Sequence, residues 1–533
     1  MKSSERDTAD SGLSMRPQRP IHTSITALAR RFDLSVPDFS AGDAQAVQVT
    51  GVTLDSRDVR PGDLYIALAG TRAHGAEFAG QAVSRGAAAV LTDEIGASQL
   101  NGESFGAGAP VPVPVLVSSS DLRSRLGQIS AAVYGTGDLD ARVFGVTGTN
   151  GKTSVVYFLA ELSRAAGLTV GLSSTAERRI GDTVVTSSLT SPEATELHGL
   201  LARMREDGAD SIALEVSAHA VERHRIDGVK FDVVAFNNFS QDHLDDFGDM
   251  ESYFAAKLAL FAPEHAERGV VVVDSAHGRR VARESRIPVT TLATEYGSQA
   301  DWHLAVTRQD LDGVSFVLQG PSGAQFSGRV PLFGRFMAEN AALALIMLHE
   351  AGVPLARVSA GLDQGKIPVY IPGRLEAMNP GNPGPRFFVD YGHTPGSFQA
   401  MLDALGEVAP GRIIFMFGAD GDRDTTKREE MGRIAAAGSD VVIICDYHPR
   451  TEDPAVIRAQ LIAGARSAAR AEIHEEGDPR AAVRLAISLA EPGDVILYAG
   501  PGHEDYQEVA GQHLPYSARD EVRGALREAG YLQ

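Results

Sequence analysis

The chain runs to 533 residues with 49 Lys and Arg against 69 Asp and Glu, a formal charge of −20. That balance excludes a protein whose affinity comes from neutralising nucleic-acid phosphates or an anionic membrane surface, and the single cysteine, Cys445, excludes an intrachain disulfide framework. At roughly 150 residues per domain, the length implies three or four domains with room for sizeable cores.

Residues 1–20 are polar, lack a hydrophobic signal segment and read as a disordered tail. The densest apolar stretch, Ala341 to Leu348, is too short to span a bilayer, so the expectation is a soluble cytoplasmic chain with no membrane insertion. A first domain covers 21–137. In it Val52 to Arg57, Leu64 to Leu68, Gly86 to Leu91 and Val113 to Val117 predict short strands, with a glycine- and proline-rich loop from Asn101 to Pro112. Asp55-Ser56-Arg57 taken alone is a turn with a local hydrogen bond.

The second domain, 138–366, opens on the stretch that organises the chain. Arg142 to Thr147 is an apolar strand, Gly148-Thr149-Asn150-Gly151 a glycine turn, and Lys152-Thr153-Ser154 begins a helix whose Val155, Phe158, Leu159 and Leu162 recur at helical spacing. Backbone N–H groups of such a turn converge on phosphate oxygens and the helix dipole favours negative charge there. Lys152 supplies a point charge and the Thr153 hydroxyl a magnesium ligand. Five residues separate Gly145 from Gly-Lys-Thr, one more than the usual phosphate-loop pattern. Ser211 to Leu214 then ends in Glu215, and Phe231 to Phe236 ends in Asn237-Asn238; Val270 to Val273 is a further strand. Strands alternating with helices imply a parallel sheet with ligands at the carboxyl ends, which puts Glu215 and the Asn237 to His243 loop on the rim of the phosphate turn.

An acid at a strand end is commonly just solvated, but beside Lys152 and Thr153, Glu215 is a candidate magnesium ligand, with His243 as a second ligand or an orienting group. With Asp249 as N-cap, Met250, Tyr253, Phe254 and Phe261 form an apolar helix face that also carries Lys257. A lysine there ordinarily snorkels to water; held neutral instead, its amine can take up carbon dioxide as a carbamate that faces a metal.

The third domain, 367–533, alternates again, with predicted strands Phe387 to Asp390, Ile413 to Gly418, Val441 to Ile444 and Val495 to Gly500: a Rossmann-like sheet. The loops after these strands carry Arg423, then Tyr447-His448-Pro449-Arg450, then Gly500 and Glu504. Two arginines and a glutamate on convergent loops suit an amino-acid zwitterion.

With these residues in view the chain resembles the Mur ligases, most closely the branch that adds the third peptide residue. The resemblance covers nearly everything after residue 20 and rests on Thr147 to Thr153, Glu215-Val216-Ser217-Ala218-His219, the Asn238 to Asp245 run, Ala255-Ala256-Lys257 and Gly502-His503-Glu504-Asp505-Tyr506-Gln507. It implies three α/β domains: a UDP-sugar-binding domain, a central P-loop ATPase-like domain and a C-terminal Rossmann-like domain. It also implies a monomeric ATP- and magnesium-dependent ligase that joins a diamino acid to UDP-N-acetylmuramoyl-L-alanyl-D-glutamate through an acyl phosphate. By the same resemblance Leu54, Ser56, Thr71, Arg72 and Ala73 hold the UDP-sugar, while Thr190, Ser191, Ser217 and Arg225 contact the muramoyl-peptide. Gly148 to Ser154 and Asn340 bind ATP; Thr153, Glu215, His243 and a carbamylated Lys257 set the metal positions. Met337 departs from a common asparagine. Tyr447-His448-Pro449-Arg450 departs from the Asp-Asn-Pro-Arg of diaminopimelate-adding members yet keeps the arginine, which leans the expected substrate toward lysine or ornithine. A folylpolyglutamate synthetase, a ligase adding D-alanyl-D-alanine and a non-catalytic nucleotide-dependent scaffold are the alternatives.

Overall fold

The computed structural model describes residues 15–36, 46–71, 73–102, 112–181, 183–186, 190–294, 297–381, 384–468 and 470–532. The chain divides into two compact units. One gathers Met1–Val143, Thr169–Asp232 and Pro263–Glu267; the other gathers Phe144–Leu168, Val233–Ala262 and Arg268–Gln533.

In the first unit Gly51–Thr53, Asp63–Ala67, Ala89–Asp93 and Val115–Ser118 form a parallel four-stranded sheet in chain order. Successive residues of a strand point to opposite faces, so an apolar run is stable only between two covering layers. Accordingly Leu64 and Ile66 join Ile25, Leu28, Leu126 and Ile129 in one core, while Tyr65 and Ala67 join Ala79 and Ala82 in another. Within the segment that the sequence reads as a disordered tail, Arg16 is held fast. Its Nη1 and Nη2 lie 2.8 and 2.5 Å from the Asp63 carboxylate, which is 1 % exposed, and its Nε donates to Tyr134 Oη at 3.1 Å. Gly51 makes room for it, since a Cβ there would stand 1.8 Å from Arg16 Nη2. The same unit pairs Val170–Ser173 parallel with Ser211–Glu215 and adds the antiparallel strands Glu177–Ile180 and Thr183–Thr186.

In the second unit Arg142–Thr147 pairs parallel with Phe231–Phe236, and Ala266–Val272 with Val289–Ala293. Helices Lys152–Ala165 and Arg335–Glu350 pack on each other. The parallel sheet expected from sequence is present, and at its far edge Trp302–Asp310, Gly313–Gln319 and Gln325–Val330 add antiparallel pairings. The first two are joined across Leu311 and Asp312 alone, too short a link for the crossover that parallel strands need. The Rossmann-like sheet expected after residue 366 is present. Its parallel strands lie in the order Arg386–Asp390, Val495–Ala499, Ile413–Phe417, Val441–Ile444, Glu472–Glu475, with Glu376–Ala377 antiparallel at the edge. That order sets the loops after Ala499, Phe417 and Ile444 side by side. Cys445 is buried in the core beneath them, and burial pushes its thiol up to about 12.

Arg16→Ala leaves the buried Asp63 carboxylate without its cation. Removing one partner of a buried ion pair costs about 3 kcal/mol or more, so the variant is expected to unfold at clearly lower denaturant concentration; an unchanged midpoint would overturn the anchoring role.

Candidate active site

The phosphate turn is shaped by two glycines and pinned by asparagines. Gly148 and Gly151 take φ of +150° and +81°, and a Cβ on Gly151 would meet Asn237 Nδ2 at 2.2 Å and Asn340 Oδ1 at 2.7 Å. Thr149 N donates to Asn238 O at 3.0 Å and Asn150 N to Asn238 Oδ1 at 2.8 Å, while Asn237 Nδ2 donates to Asn150 O at 3.2 Å and Asn340 Oδ1 at 2.7 Å. The residues following Phe231–Phe236 therefore fix the turn's geometry, a role that spacing alone does not disclose. Ser154 and Asn340 border a cavity of about 290 Å³ with Met337, Glu339 and Arg374. Burial, reinforced by Asp274 and opposed by Arg335, pushes the Glu339 carboxyl up to about 8.

Three basic side chains gather on this turn. Lys152 Nζ donates to Gly148 O at 3.0 Å and Thr149 O at 2.8 Å, and Lys257 Nζ donates to Gly148 O at 2.8 Å. Arg374 Nη2 donates to Thr153 Oγ1 at 2.9 Å. Lys257 does not snorkel: it is 1 % exposed, with Nζ 4.4 Å over the Tyr253 ring. Burial, helped by Lys152 and opposed by Asp242, holds its ammonium well below the usual lysine range. Asp249 caps the Lys257 helix by accepting from Ser252 N at 2.7 Å. That helix ends at Leu258, so Phe261, expected on its face, lies beyond it. His243 takes φ of +55° with Nε2 3.3 Å from Asp242. Burial works against the Asp242 charge, but His243, then Lys427, His393 and Lys152, hold its carboxyl down at about 2.

In the first unit Glu215 is 3 % exposed and accepts from Thr175 N at 2.9 Å and Thr175 Oγ1 at 3.0 Å. The muramoyl-peptide candidates assemble around it. Thr190 Oγ1 lies 3.0 Å from Thr175 Oγ1, whose hydrogen goes to Glu215; Ser191 Oγ donates to Glu215 O at 2.9 Å, Ser217 N to Ser191 Oγ at 3.2 Å, and Arg225 Nη1 to Ser191 O at 3.3 Å. Leu54, Ser56 and Ala73 line a separate cavity of about 1150 Å³, where Ser56 Oγ donates to Gln81 Oε1 at 2.6 Å. Thr71 is exposed and outside the lining, and Arg72 lies outside the described residues. Asp55 accepts from Arg57 N at 2.8 Å, the local turn bond expected of that tripeptide.

In the Rossmann-like sheet the loops converge as the strand order demands. Glu504 accepts from Tyr447 Oη at 2.6 Å and Tyr391 Oη at 3.2 Å, with His448 Nε2 at 2.8 Å. Burial raises its carboxyl, but His448 and Tyr447 outweigh that and hold it below the usual glutamate value. Arg450 lies 3.3 Å from Asp420 and 3.1 Å from Glu508. Gly500, at φ +118°, borders the Tyr447 ring, and Pro449 O accepts from Glu452 N. Arg423 lies 3.8 Å from Asp245, while the residues before it bond the neighbouring loop, Gly421 N donating to His448 O at 2.8 Å and Asp422 N to Glu452 Oε1 at 2.6 Å. Tyr391, Asp420 and Glu508 join the cluster without a sequence signal.

Three family descriptions match the chain: the Mur ligase family catalytic domain over residues 48–134, the Mur ligase middle domain over 146–348, and the Mur ligase glutamate ligase domain over 373–502. With the phosphate turn and the parallel sheets, they define a three-domain ATP-dependent ligase. A UDP-N-acetylmuramyl-tripeptide synthetase from Leifsonia xyli subsp. xyli is 53% identical, covering 97% of this chain and 99% of its own. A UDP-N-acetylmuramoyl-L-alanyl-D-glutamate--2,6-diaminopimelate ligase from Streptomyces coelicolor is 40% identical over 96% and 98%. A solved structure bearing that same enzyme name superposes with a TM-score of 0.62 at 29% identity, covering 93% of this chain and 98% of that one. The chain belongs to the Mur ligase family and acts in peptidoglycan precursor synthesis. Among the described residues no helix is long and apolar enough to cross a membrane.

The Glu339 environment has a pH signature. An unfolded glutamate loses its proton near 4.5, whereas folded Glu339 keeps it to about 8. The folded state therefore binds the extra proton between those values, and the stability Glu339 contributes is full below 4.5 and lost as pH rises through 8. Glu339→Gln is expected to flatten the fall in melting temperature between pH 5 and 8; an unaltered slope would remove Glu339 as its source.

Proposed function

We propose that the chain joins a basic L-amino acid, lysine or ornithine, to the D-glutamyl γ-carboxylate of UDP-N-acetylmuramoyl-L-alanyl-D-glutamate. The observation that carries this choice is the charge around Glu504. Arg450 is already flanked by Asp420 and Glu508, and Glu504 has His448 and Tyr447 as partners, so three carboxylates gather here with one guanidinium and one imidazole. Such a pocket favours the ammonium of a lysine or ornithine side chain over the additional carboxylate of meso-diaminopimelate. Diaminopimelate is the second reading, supported by the retained Arg450 and by the names of relatives such as the Streptomyces coelicolor ligase.

In the reaction a γ-carboxylate oxygen attacks the γ-phosphorus of ATP, the bond to the β,γ-bridging oxygen breaks, and ADP leaves with the electron pair. The free amine of the amino acid then adds to the acyl phosphate carbon, and the tetrahedral intermediate expels inorganic phosphate and a proton to leave the amide. Lys152, drawn from the carbonyls of Gly148 and Thr149, would meet the transferring phosphoryl, while the turn's N–H groups hold the remaining phosphates. Leu54, Ser56 and Ala73 would hold the UDP-sugar, and Thr190, Ser191, Ser217 and Arg225 the peptide. The hydroxyl of Thr153, already accepting a cationic guanidinium, and the buried carboxylate of Glu215 are hard oxygen donors of the kind magnesium takes. With His243 and a carbamate on Lys257 they would hold the ion, whose charge offsets that of the phosphates. Positioning supplies most of the rate in such a reaction, so closure that brings the γ-carboxylate to the γ-phosphate is required.

The test is an amino-acid panel, with phosphate release measured in the presence of ATP and the muramoyl-dipeptide nucleotide. Lysine or ornithine is expected to give the highest kcat/KM; a clear preference for meso-diaminopimelate would select the second reading, and no amino-acid-dependent release would exclude both. For the carbamate, Lys257→Ala is expected to lose activity by more than a hundredfold and to regain part of it with millimolar short-chain carboxylates; a variant that stays inactive with every carboxylate tried counts against it.

A further inference from the structure

Arg178 sits on strand Glu177–Ile180, where alternate residues are buried and Arg178 and Ile180 share the inward face. It is 9 % exposed and forms part of the wall of the 1150 Å³ cavity, which Ser56, Gln81, Glu193, Thr195 and Glu196 also line. Its Nη1 lies 3.6 Å from Glu196, beyond a direct hydrogen bond, and its Nε and Nη2 are buried with no hydrogen-bond partner among the described residues. A buried guanidinium with two unmet N–H groups is costly, and folded chains seldom tolerate one without reason. Other cations at this cavity are engaged: Arg16 by Asp63, and Arg57 by Asp55. Burial also depresses the Arg178 guanidinium, against the attraction of Glu196. The neighbouring carboxylate of Glu193 is itself taken by Arg225 at 2.8 Å and Arg123 at 2.7 Å, so it does not compete for Arg178.

Nε and Nη2 are the edge of a guanidinium that grips two oxygens of one planar or tetrahedral oxyanion. We propose that Arg178 is a substrate-binding residue that takes a phosphate or carboxylate oxyanion of the UDP-muramoyl substrate in this cavity. The inference rests on the UDP-muramoyl reading of the site and adds a contact that neither the strand–turn–helix motif nor the family motifs contain. A small rotation of the guanidinium toward the cavity lets the ligand complete its unmet hydrogen bonds, which ties nucleotide-sugar binding to the strand Glu177–Ile180.

The experiment is calorimetric titration of the full chain with UDP, UDP-N-acetylmuramate and UDP-N-acetylmuramoyl-L-alanyl-D-glutamate, for the wild type, Arg178→Gln and Arg178→Lys. Loss of a charge-assisted bidentate contact is expected to weaken the dipeptide nucleotide by about tenfold or more in Arg178→Gln. Arg178→Lys should recover part of the loss, and KM for ATP should not change. An equal loss for UDP identifies a phosphate as the oxyanion; a loss confined to the dipeptide-bearing ligand identifies a carboxylate. Wild-type affinity for all three ligands in both variants overturns the proposal. Should Arg178→Gln fail to fold, Arg178→Lys decides alone, since it keeps the charge and lacks the two-pronged edge. A wild-type chain that binds none of the three overturns the substrate reading itself, and Arg178's role with it.

Discussion

Gly151 has no space for a side chain: Asn237 and Asn340 come within contact distance of where a Cβ would be, and its φ of +81° is one that L side chains rarely adopt. Much of the second unit follows from that close approach. The backbone of the turn can be read by the side chains of Asn237 and Asn238, which places the carboxyl end of Phe231–Phe236 against the amino end of Lys152–Ala165. Helix Arg335–Glu350 is then fixed by Asn340, and the cavity beneath it is bounded on one side by the turn and on the other by Met337 and Glu339. A larger residue at 151 would have to displace both Asn237 and Asn340 at once.

The electrostatics around the turn are arranged by burial as much as by sign. Lys152 and Lys257 share Gly148 O, and two ammonium groups that close in a low-dielectric setting cannot both stay charged without cost. Burial, with Lys152 beside it, holds the Lys257 ammonium well below the usual lysine range. Asp242 acts in the opposite sense, kept ionised by His243, Lys427, His393 and Lys152. One short stretch thus holds a cation, a nearly neutral amine and a firm anion within a few side chains of each other.

How much of this was legible in the sequence depended on whether the controlling contacts were local. The strand, turn and helix from Arg142 to Ala165 were, because apolar periodicity and glycine placement act over neighbouring residues. The carboxyl-end positions of Glu215 and Asn237 followed from the alternation of strands and helices, and the family motifs brought Thr190, Ser191, Ser217 and Arg225 to one network. The pairing of Arg423 with Asp245 is one that no local pattern reports. Burial of Lys257 was undecidable from an amphipathic helix alone, since a snorkelling lysine has the same spacing. The antiparallel edge beginning at Trp302 rests on the tight Leu311-Asp312 link, which lacks the usual glycine or asparagine hairpin signal. Thr175, Arg178, Asp420 and Glu508 act through partners far away in sequence, which no local pattern reports.

The solitary thiol of Cys445 gives the chain an experimental property of its own. It lies inside the Rossmann-like core, its protonated form favoured by burial, so it is a poor nucleophile toward alkylating probes. A cysteine introduced on the surface of either unit would therefore be the reactive one without any need to remove the native residue. Such a cysteine would carry a fluorophore or spin label with no background from the native thiol.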